Sequence, residues 1–351
     1  MKKSENWDPD GVGLKGQGLF GMPYTLEESD LVLLPVPWDV TVSYGSGTRK
    51  GPEAILEASP QLDLVDPWVP DAWKLKRYML PVDRLWLDRS KYERKFVEEY
   101  LQWLELGSEP SQVQRMQECL ETVNEKCGYL LDWVKTQSRD FLAEGKLVGI
   151  LGGDHSSPLG LMQALGENLD GFGILQIDAH MDLREAYEGF DYSHASIMHH
   201  ALEIPAVSSL VQVGIRDASP GETSRSREDA RIHTFWDSDW SVASFMGRTW
   251  DSYARDIVER LPSLVYVSWD IDGLQPWLCP GTGTPVPGGL GLDQALYLVA
   301  LVRQSGRRIV GFDLCEVAPS KGDLEWNANV GARVLYRLSN LVLASSLTSL
   351  G

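Results

Sequence analysis

Apolar runs of strand length alternate with amphipathic stretches over much of the chain. Six such runs occupy residues 31–37, 147–153, 172–180, 210–217, 264–272 and 308–317. Stretches between them, such as SPLGLMQALGE and LDQALYLVALVRQ, have the apolar spacing of helices. Continuous apolar strands that alternate with helices are typical of a parallel sheet covered on both faces. The pattern therefore predicts an α/β fold, a helix/sheet/helix sandwich of three layers.

The region from about residue 83 to 145 has a different texture. It is rich in Glu, Lys, Arg and Gln around spaced Leu, Trp, Val and Tyr residues, which predicts amphipathic helices. Nothing in it suggests chemistry, so we interpret it as a solvated helical layer. A length of 351 residues leaves one large domain with insertions or two domains equally open.

Polar clusters end almost every predicted strand: GGDHS, DAHMD, GIRD, SWDID and DLCEVAP. Because ligands of open parallel sheets bind beyond the carboxyl ends of the strands, we expect these clusters to converge on one rim. Alternate residues of an extended chain point the same way, so Asp178, His180 and Asp182 can face one centre. The same reasoning applies to Asp270 and Asp272. The imidazole of a further cluster belongs to His155.

Composition narrows the choice of partner and compartment. Fifty acidic against 32 basic residues give a formal net charge of −18, which argues against a nucleic-acid partner and suits a cationic substrate. The four cysteines have no CxxC spacing, which favours a reduced, cytoplasmic protein. The N-terminus lacks an apolar signal region, and no later segment approaches eighteen uninterrupted apolar residues, so we expect neither export nor a membrane association.

The strand-end clusters predict a metal site. Four carboxylates on one rim resist ionisation unless cations neutralise them. Carboxylate with imidazole is the ligand set of Mn²⁺, Fe²⁺, Ni²⁺ or Zn²⁺. Six donors are too many for one catalytic ion but suit two ions that share bridging carboxylates. A single DxD or DxH would more often be a helix cap or a turn, and the three clusters together carry the prediction.

The same motifs carry a family resemblance. GGDHS (152–156), DAHMD (178–182), SWDIDGLQPWLCPGTGTPVPGGL (268–290) and GFDLCEVAP (311–319) resemble the signature blocks of the ureohydrolase family of arginases and agmatinases. PWDVTVSYGSGTRKGPEAILEAS (37–59) resembles its N-terminal block, and DYSHASIM (191–198) resembles the agmatinase form of its substrate loop.

The resemblance covers about 31–66 and 147–340, and it implies an arginase/deacetylase-like sandwich with a mostly parallel sheet of about eight strands. It further implies a single domain over 1–351 with an N-terminal extension at 1–30 and a helical insertion at about 67–146. A homotrimer or homohexamer is also implied.

The resemblance implies two Mn²⁺ ions per chain, with Ni²⁺ or Co²⁺ as alternatives. Every metal-ligand position of the family pattern is filled. One ion would be bound by His155, Asp178, Asp182 and Asp270, and the other by Asp178, His180, Asp270 and Asp272. Asp178 and Asp270 would bridge them. Gln275 departs from the family pattern, which usually has Asp there, and puts only a peripheral contact in doubt.

The implied reaction hydrolyses a guanidino compound to urea and an amine, with agmatine as the leading substrate. Asp182 would carry a proton to the leaving nitrogen and Glu316 would orient the guanidinium nitrogens. His194 would be a second proton shuttle or a substrate contact. Arginine is the nearest rival, because Arg184 could meet an α-carboxylate, although a structural ion pair is an equal reading of that residue.

Other functions stay open at this stage. Guanidinobutyrate or another small guanidino compound could replace agmatine. A deacetylase of related fold would need a single zinc and fewer ligands, and a metallophosphatase would need a GNHE-like or GNHD-like motif. A catalytically silent scaffold relative would be expected to lack ligands. His199 and His200 are interpreted as helix-surface residues.

Overall fold

The computed structural model describes residues 7–14 and 16–347, so residues 1–6 and 15 of the expected N-terminal extension lie outside the described residues. Within the described residues, eight strands form one parallel sheet in the order β2-β1-β3-β8-β7-β4-β5-β6. The strands are β1 (Leu31–Val36), β2 (Arg77–Met79), β3 (Leu147–Gly152), β4 (Phe172–Ile177), β5 (Val207–Ile215), β6 (Ile232–Trp236), β7 (Leu264–Asp270) and β8 (Arg308–Cys315).

Ten α-helices accompany the sheet in the part of the chain that the structure describes. They are α1 (Gly51–Ala58), α2 (Arg84–Glu105), α3 (Val113–Ala143), α4 (Leu159–Asn168), α5 (Ile197–Leu202), α6 (Pro220–Glu228), α7 (Asp237–Phe245), α8 (Trp250–Glu259), α9 (Leu292–Gln304) and α10 (Trp326–Leu347). The three-layer α/β prediction is confirmed, and the sheet is wholly parallel rather than mostly so.

Each face of the sheet is covered by its own apolar core. One core joins the sheet to α1, α8, α9 and α10, and the other joins it to α2, α3, α4 and α5. Neighbouring residues of one strand serve opposite cores, as Ile150 and Leu151 of β3 do, because successive side chains of a strand point to opposite faces. Burial on both faces is why the strands read as unbroken apolar runs.

Two strands are not predicted by the pattern of apolar runs in the sequence. β2 has three residues, and β6 has two adjacent polar residues and is only half-buried beyond Ile232. Both lie at the edges of the sheet, where fewer neighbours cover the side chains. The segment 67–146 contains β2 as well as α2 and α3, and the apolar sides of the two helices pack into the second core through Val97, Tyr100, Val123 and Val134.

The carboxyl ends of the central strands approach one another closely. A Cβ added to Gly273, just after β7, would lie 2.6 Å from the backbone nitrogen of Asp178. A Cβ on Gly153, just after β3, would lie 1.8 Å from the carbonyl oxygen of Trp38. Glycine is therefore required at both positions for the loops to meet at the rim. Among the described residues, no helix is both long and apolar enough to cross a membrane.

Candidate metal centre and substrate cavity

His155 lies at the centre of a buried carboxylate cluster. Its Nδ1 lies 2.9 Å from Asp182 Oδ2, 3.1 Å from Asp178 Oδ2 and 3.5 Å from Asp270 Oδ2. Its Nε2 lies 2.9 Å from Ser268 Oγ on the far side of the ring. A hydrogen bond at one ring nitrogen fixes the orientation of an imidazole, so Ser268 aims Nδ1 at the carboxylates.

The second imidazole, His180, faces a neighbouring pair of carboxylates. Its Nδ1 lies 3.1 Å from Asp272 Oδ2 and 3.6 Å from Asp178 Oδ1. The two oxygens of Asp178 thus point to different histidines. Unlike the rest of the cluster, the His180 side chain is about a quarter exposed, so this end of the cluster borders solvent.

The donors form two overlapping groups that could each hold a metal ion. His155, Asp178 and Asp270 offer ligand atoms within 4.8 Å of one another, and so do Asp178, His180 and Asp272. Asp178 belongs to both groups. The structure therefore brings together all six residues that the sequence singled out, with Asp182 joining the first group through His155.

The local backbone differs from the extended chain that the sequence reasoning assumed. A β-bridge to Asp217 keeps the chain extended as far as His180, but Asp182 has a φ of 54°. Asp272 lies in a short helical turn, Ile271–Gly273, capped by Asp270 Oδ1, which accepts from the Asp272 N–H at 2.8 Å. Alternation therefore explains Asp178 and His180, whereas tight turns bring in Asp182 and Asp272.

Electrostatics within the cluster oppose four free carboxylates. Burial and the neighbouring Asp178 raise the pKa of Asp182 to about 7. Burial and the charges of Asp272 and Asp178 raise the pKa of Asp270 well above its usual value. Burial also disfavours the charged form of His180, but hydrogen bonds to Asp178 and Asp272 prevail and raise its pKa to about 12. The cluster thus holds extra protons where cations could sit.

A polar chain behind Asp178 was not singled out by the sequence reasoning. Gln176 Nε2 donates to Asp178 Oδ2 at 2.8 Å, Gln212 Nε2 donates to Gln176 Oε1 at 2.7 Å, and Thr234 donates to Gln212 at 3.0 Å. These residues lie on β4, β5 and β6, and both glutamines are fully buried. Buried amides between apolar residues in adjacent strands were the available signal, because such groups need partners.

Glu316 stands directly after β8 with one free carboxylate oxygen. Its Oε1 accepts a hydrogen bond from the His155 N–H at 3.0 Å, whereas Oε2 is buried without a hydrogen-bond partner. Its φ is 65°, in the left-handed region that is uncommon for a side chain of this kind. Burial and the charge of Asp154 raise its pKa well above the usual value. This Oε2 lies beside Gly283, where an added Cβ would be 3.3 Å away, and Glu316 is not among the described residues that line the cavity below.

A cavity of about 500 Å³ opens onto this cluster. His180 and Asp182 form part of its lining, and two segments that we call the wall loops, 38–47 and 184–196, form much of its sides. Its other lining residues are Ser43, Tyr44, Arg184, Tyr187, His194, Ala195, Asp217, Ala218, Glu222, Thr284, Pro285 and Val286. The volume suits a small molecule, and Asp217 and Glu222 add negative charge to the walls.

His194 is positioned at the junction of the wall loops. Its Nε2 lies 3.4 Å from Ser43 Oγ, and its ring meets the edge of Tyr187 at 6.0 Å between centroids. Its Nδ1 is buried without a partner. Burial, followed by the positive charges of His180 and His155, lowers its pKa to about 3. His194 is therefore a neutral imidazole beside the cluster, able to accept a hydrogen bond.

Arg184 is engaged in structural contacts. Its Nε lies 3.7 Å from Glu222 Oε2 and its guanidinium stacks over Tyr187 at 4.7 Å. Glu222 is a buried capping residue of α6 that also accepts from the Leu183 N–H. Of the two readings of Arg184 from the sequence, the ion pair is the one that the geometry supports.

His199 and His200 are more covered than a helix surface would leave them. Their side chains are 14% and 17% exposed. His199 contacts Arg225, and His200 Nε2 lies 2.9 Å from the carbonyl oxygen of Asp191. They pack α5 against α6 and a wall loop, a tertiary role that helix periodicity does not reveal.

Comparison with known proteins identifies the family to which the chain belongs. A model described as the arginase family matches residues 29–339. The chain belongs to the arginase family. An N(1)-aminopropylagmatine ureohydrolase of Thermus thermophilus is 34% identical over 308 residues, which cover 85% of each protein. The agmatinase of Bacillus anthracis is 29% identical over 299 residues, which cover 84% of this chain and 86% of that protein.

A solved relative has the same architecture. The proclavaminate amidino hydrolase of Streptomyces clavuligerus matches with a TM-score of 0.70 and 21% identity, over 96% of this chain and 100% of that one. The family membership implied by the motifs is confirmed by these matches. The arginase-family protein is accordingly a hydrolase of the ureohydrolase type.

Proposed function

We propose that this arginase-family protein is a binuclear manganese enzyme that hydrolyses agmatine to putrescine and urea. The observation that carries the proposal is the convergence of His155, His180 and four aspartates at one rim, where His180 and Asp182 line an acidic cavity. Imidazole with carboxylate suits Mn²⁺, and also Ni²⁺ or Co²⁺, better than Ca²⁺ or a thiol-seeking ion. The raised pKa values of Asp182 and Asp270 fit a site that requires cations.

The donor set divides naturally between two ions. Asp178 has one oxygen towards each histidine, which suits a bridging ligand. Asp182 and Asp270 accompany His155, and Asp272 accompanies His180. The family resemblance further implies that Asp270 also binds the second ion as a bridge. Two divalent ions bound here would supply a water acidified towards neutral pH as the nucleophile.

The surrounding residues have distinct tasks in this proposal. The free Oε2 of Glu316 accepts an N–H of the substrate guanidinium and orients its plane. Asp182, on the cavity lining, holds a proton on its carboxylate and passes it to the leaving nitrogen. His194, neutral at working pH, accepts a hydrogen bond from the substrate.

The cavity favours a substrate without a carboxylate. Arg184 is the one basic side chain among the described cavity-lining residues apart from the histidines, and its guanidinium is held by Glu222 and Tyr187. The exposed carboxylate of Asp217 instead suits the distal ammonium of a guanidinoalkylamine. The volume of the cavity favours N(1)-aminopropylagmatine as the second candidate, the substrate named for the Thermus relative.

Urea release from a substrate panel tests the proposal. The enzyme is loaded with Mn²⁺, Ni²⁺ or Co²⁺ and assayed with agmatine, N(1)-aminopropylagmatine, arginine and guanidinobutyrate. The highest kcat/KM is expected for agmatine with Mn²⁺, and preferential cleavage of arginine would contradict it. Arg184→Ala is the matched test, because it should leave the ratio of agmatine to arginine cleavage within about threefold, given that Arg184 binds no substrate carboxylate.

Metal content and assembly are measured on the same preparation. Two Mn²⁺ per chain are expected, and one ion per chain would favour a deacetylase-like centre. The trimer or hexamer rests on the family resemblance alone and stays a prediction, which light scattering of the purified protein tests.

A further inference from the structure

The wall loops of the cavity depend on each other. Ser43 of the first loop lies 3.4 Å from His194 of the second, and the Thr41 hydroxyl donates to the carbonyl oxygen of Tyr192 at 3.4 Å. Both contacts are long and therefore weak. Something else must hold the two loops in register beside the metal-binding cluster.

The first wall loop is held by α2. Arg94, which is 7% exposed, donates from one guanidinium nitrogen to the carbonyl oxygens of both Val40 and Val42. The Ser90 hydroxyl donates to Asp39 Oδ1 at 3.1 Å and accepts from the Asp39 N–H at 3.2 Å. These buried bonds span more than fifty residues of sequence and fix the backbone that leads to Ser43.

The second wall loop contains a strained two-residue turn. Tyr187 and Phe190 exchange backbone hydrogen bonds at 3.1 and 2.9 Å. Between them Glu188 and Gly189 both have positive φ, 54° and 88°. These angles are those of a type I′ turn, which favours Asn-Gly and costs energy with Glu at its first central position. Such a turn requires outside support.

That support comes mainly from α3. The Asn124 side chain donates to the Gly189 carbonyl oxygen and accepts from the Asp191 N–H, both at 3.1 Å. A Cβ on Gly189 would lie 2.8 Å from Leu120 of α3 and 3.1 Å from the Tyr100 hydroxyl of α2. The turn is therefore pressed against both helices as well as hydrogen-bonded to one of them.

Tyr187 connects the supported turn to two residues of the cavity, His194 and Arg184. Its ring contacts His194 edge-on at 6.0 Å and lies under the Arg184 guanidinium at 4.7 Å. A displacement of the turn would thus move the aromatic wall of the cavity and the imidazole together. The candidate metal ligands lie outside this turn, at or just beyond the carboxyl ends of β3, β4 and β7.

We infer that α2 and α3 form a positioning clamp for the substrate cavity, with Arg94 and Asn124 as its two positioning residues. Arg94 holds the first wall loop and Asn124 holds the second, so that the cavity is shaped for the guanidino substrate before it binds. The inference rests on the proposed function for the identity of the substrate, but the clamp itself is a property of the loops.

Asn124→Ala is the deciding variant, because Asn124 lies at the surface and its loss leaves both cores intact. Fewer molecules would then have a binding-competent cavity, which raises KM in proportion and leaves kcat nearly unchanged. We expect KM for agmatine to rise about five- to tenfold from the two lost hydrogen bonds, with kcat within about twofold. Metal content should equal that of the unaltered enzyme.

Gln114→Ala is the matched control, since Gln114 is an amide of the same helix that donates only to Glu118 within it. An equal rise of KM in this control, or no rise in Asn124→Ala, would overturn the inference. Arg94→Met should raise KM in the same way, and Arg94→Lys should restore part of the loss because its ammonium can still donate to the carbonyls.

Amide hydrogen exchange separates this inference from the proposed function. Faster exchange in the wall loops of Asn124→Ala, with unchanged exchange in the Gln114→Ala control, is expected whether or not the enzyme accepts any substrate of the panel. If the unaltered enzyme released no urea, the proposed function would fail while this readout still decided the clamp. Unchanged exchange of the second wall loop in Asn124→Ala would refute the clamp.

Discussion

The candidate metal-binding rim and the wall loops are built on different principles. At the rim, sequence neighbours such as Asp178 and His180 share one donor group, and parallel strand ends bring His155 alongside them. In the wall loops, the contacts that hold one loop to another element join distant segments: Asn124 contacts Gly189 across 65 residues, and Thr41 contacts Tyr192 across 151. The rim is supported by a sheet that is buried on both faces, whereas the conformation of the wall loops depends on a few hydrogen bonds.

The difference suggests a division of labour. Parallel strand ends fix where a water and a guanidinium carbon would meet, which is the demanding part of the chemistry. The loops adjust which molecule reaches that point, and loops tolerate change more readily than strands. Alterations at the rim should therefore abolish turnover, and alterations in the walls should tune it.

The largest expected effect follows from Asp178→Asn. Removing the charge shared by both donor groups leaves buried imidazoles and cations unbalanced, so we expect turnover to fall more than about 100-fold. Metal content should fall with it. Asp170→Asn, exposed just before the opposite end of β4, is the control and should change neither. Full activity of Asp178→Asn would show that Asp178 is not a metal ligand.

The next effect concerns stability of the metal-free protein. Asp182 has a pKa raised to about 7, and the pKa values of Asp270 and Glu316 are raised as well. These three carboxyls keep protons in the folded state that the unfolded state releases between about pH 4 and 7, and they outweigh the opposite effect of the lowered pKa of His194. The unfolding free energy therefore falls as pH rises through this window. Thermal melting with chelator should show a lower Tm at pH 8 than at pH 5.

Metal should reverse that trend. Divalent ions favour the ionised carboxylates, so the loaded protein is expected to gain stability over the chelated one as pH rises. Parallel melting curves with Mn²⁺ and with chelator check this. If both forms lost stability equally between pH 5 and 8, the carboxylate cluster would not be the cause.

A smaller effect is expected at the junction between rim and walls. His194→Ala removes a neutral imidazole that contacts the cavity but lies outside both donor groups. We expect kcat/KM to fall about 10- to 100-fold, near the low end for a lost polar catalytic contact, with metal content unchanged. Loss of metal in this variant would show instead that His194 is a metal ligand.

The smallest effect is expected for Gln275→Asp, which restores the residue usual in the family. The backbone here is fixed by the Gln275 N–H donating to Leu290 and by its carbonyl accepting from Leu278, and these bonds do not depend on the side chain. Steady-state kinetics should change by less than about twofold. A large gain in kcat would reveal a role for this side chain that its backbone contacts do not indicate.

Parts of the fold could be predicted from the sequence because both faces of the sheet are buried. Central strands such as β4 and β7 consist of unbroken apolar runs, and those runs are visible without any partner. The edge strands β2 and β6 were not predicted. β2 has only three residues and β6 is half exposed, so neither strand has the continuous apolar run that marks a buried strand in the sequence.

The candidate metal site was predictable for the same reason. Where a strand ends at a common rim, polar residues next to it share a location whatever the rest of the chain does, and this reasoning holds for His155, Asp178 and Asp270. It predicts the neighbourhood but not the conformation. The left-handed backbone of Asp182 and the turn at Asp272 replaced the extended alternation that had been assumed.

The amino-acid sequence by itself determined the layer architecture, the rim and the residue types that gather there, since these follow from local periodicity and from the geometry of parallel strands. Only the tertiary structure decided that Ser268 aims His155, that Arg184 is tied to Glu222, and that α2 and α3 support the cavity walls. Those contacts join segments far apart along the chain, and no periodicity records which distant side chains will meet.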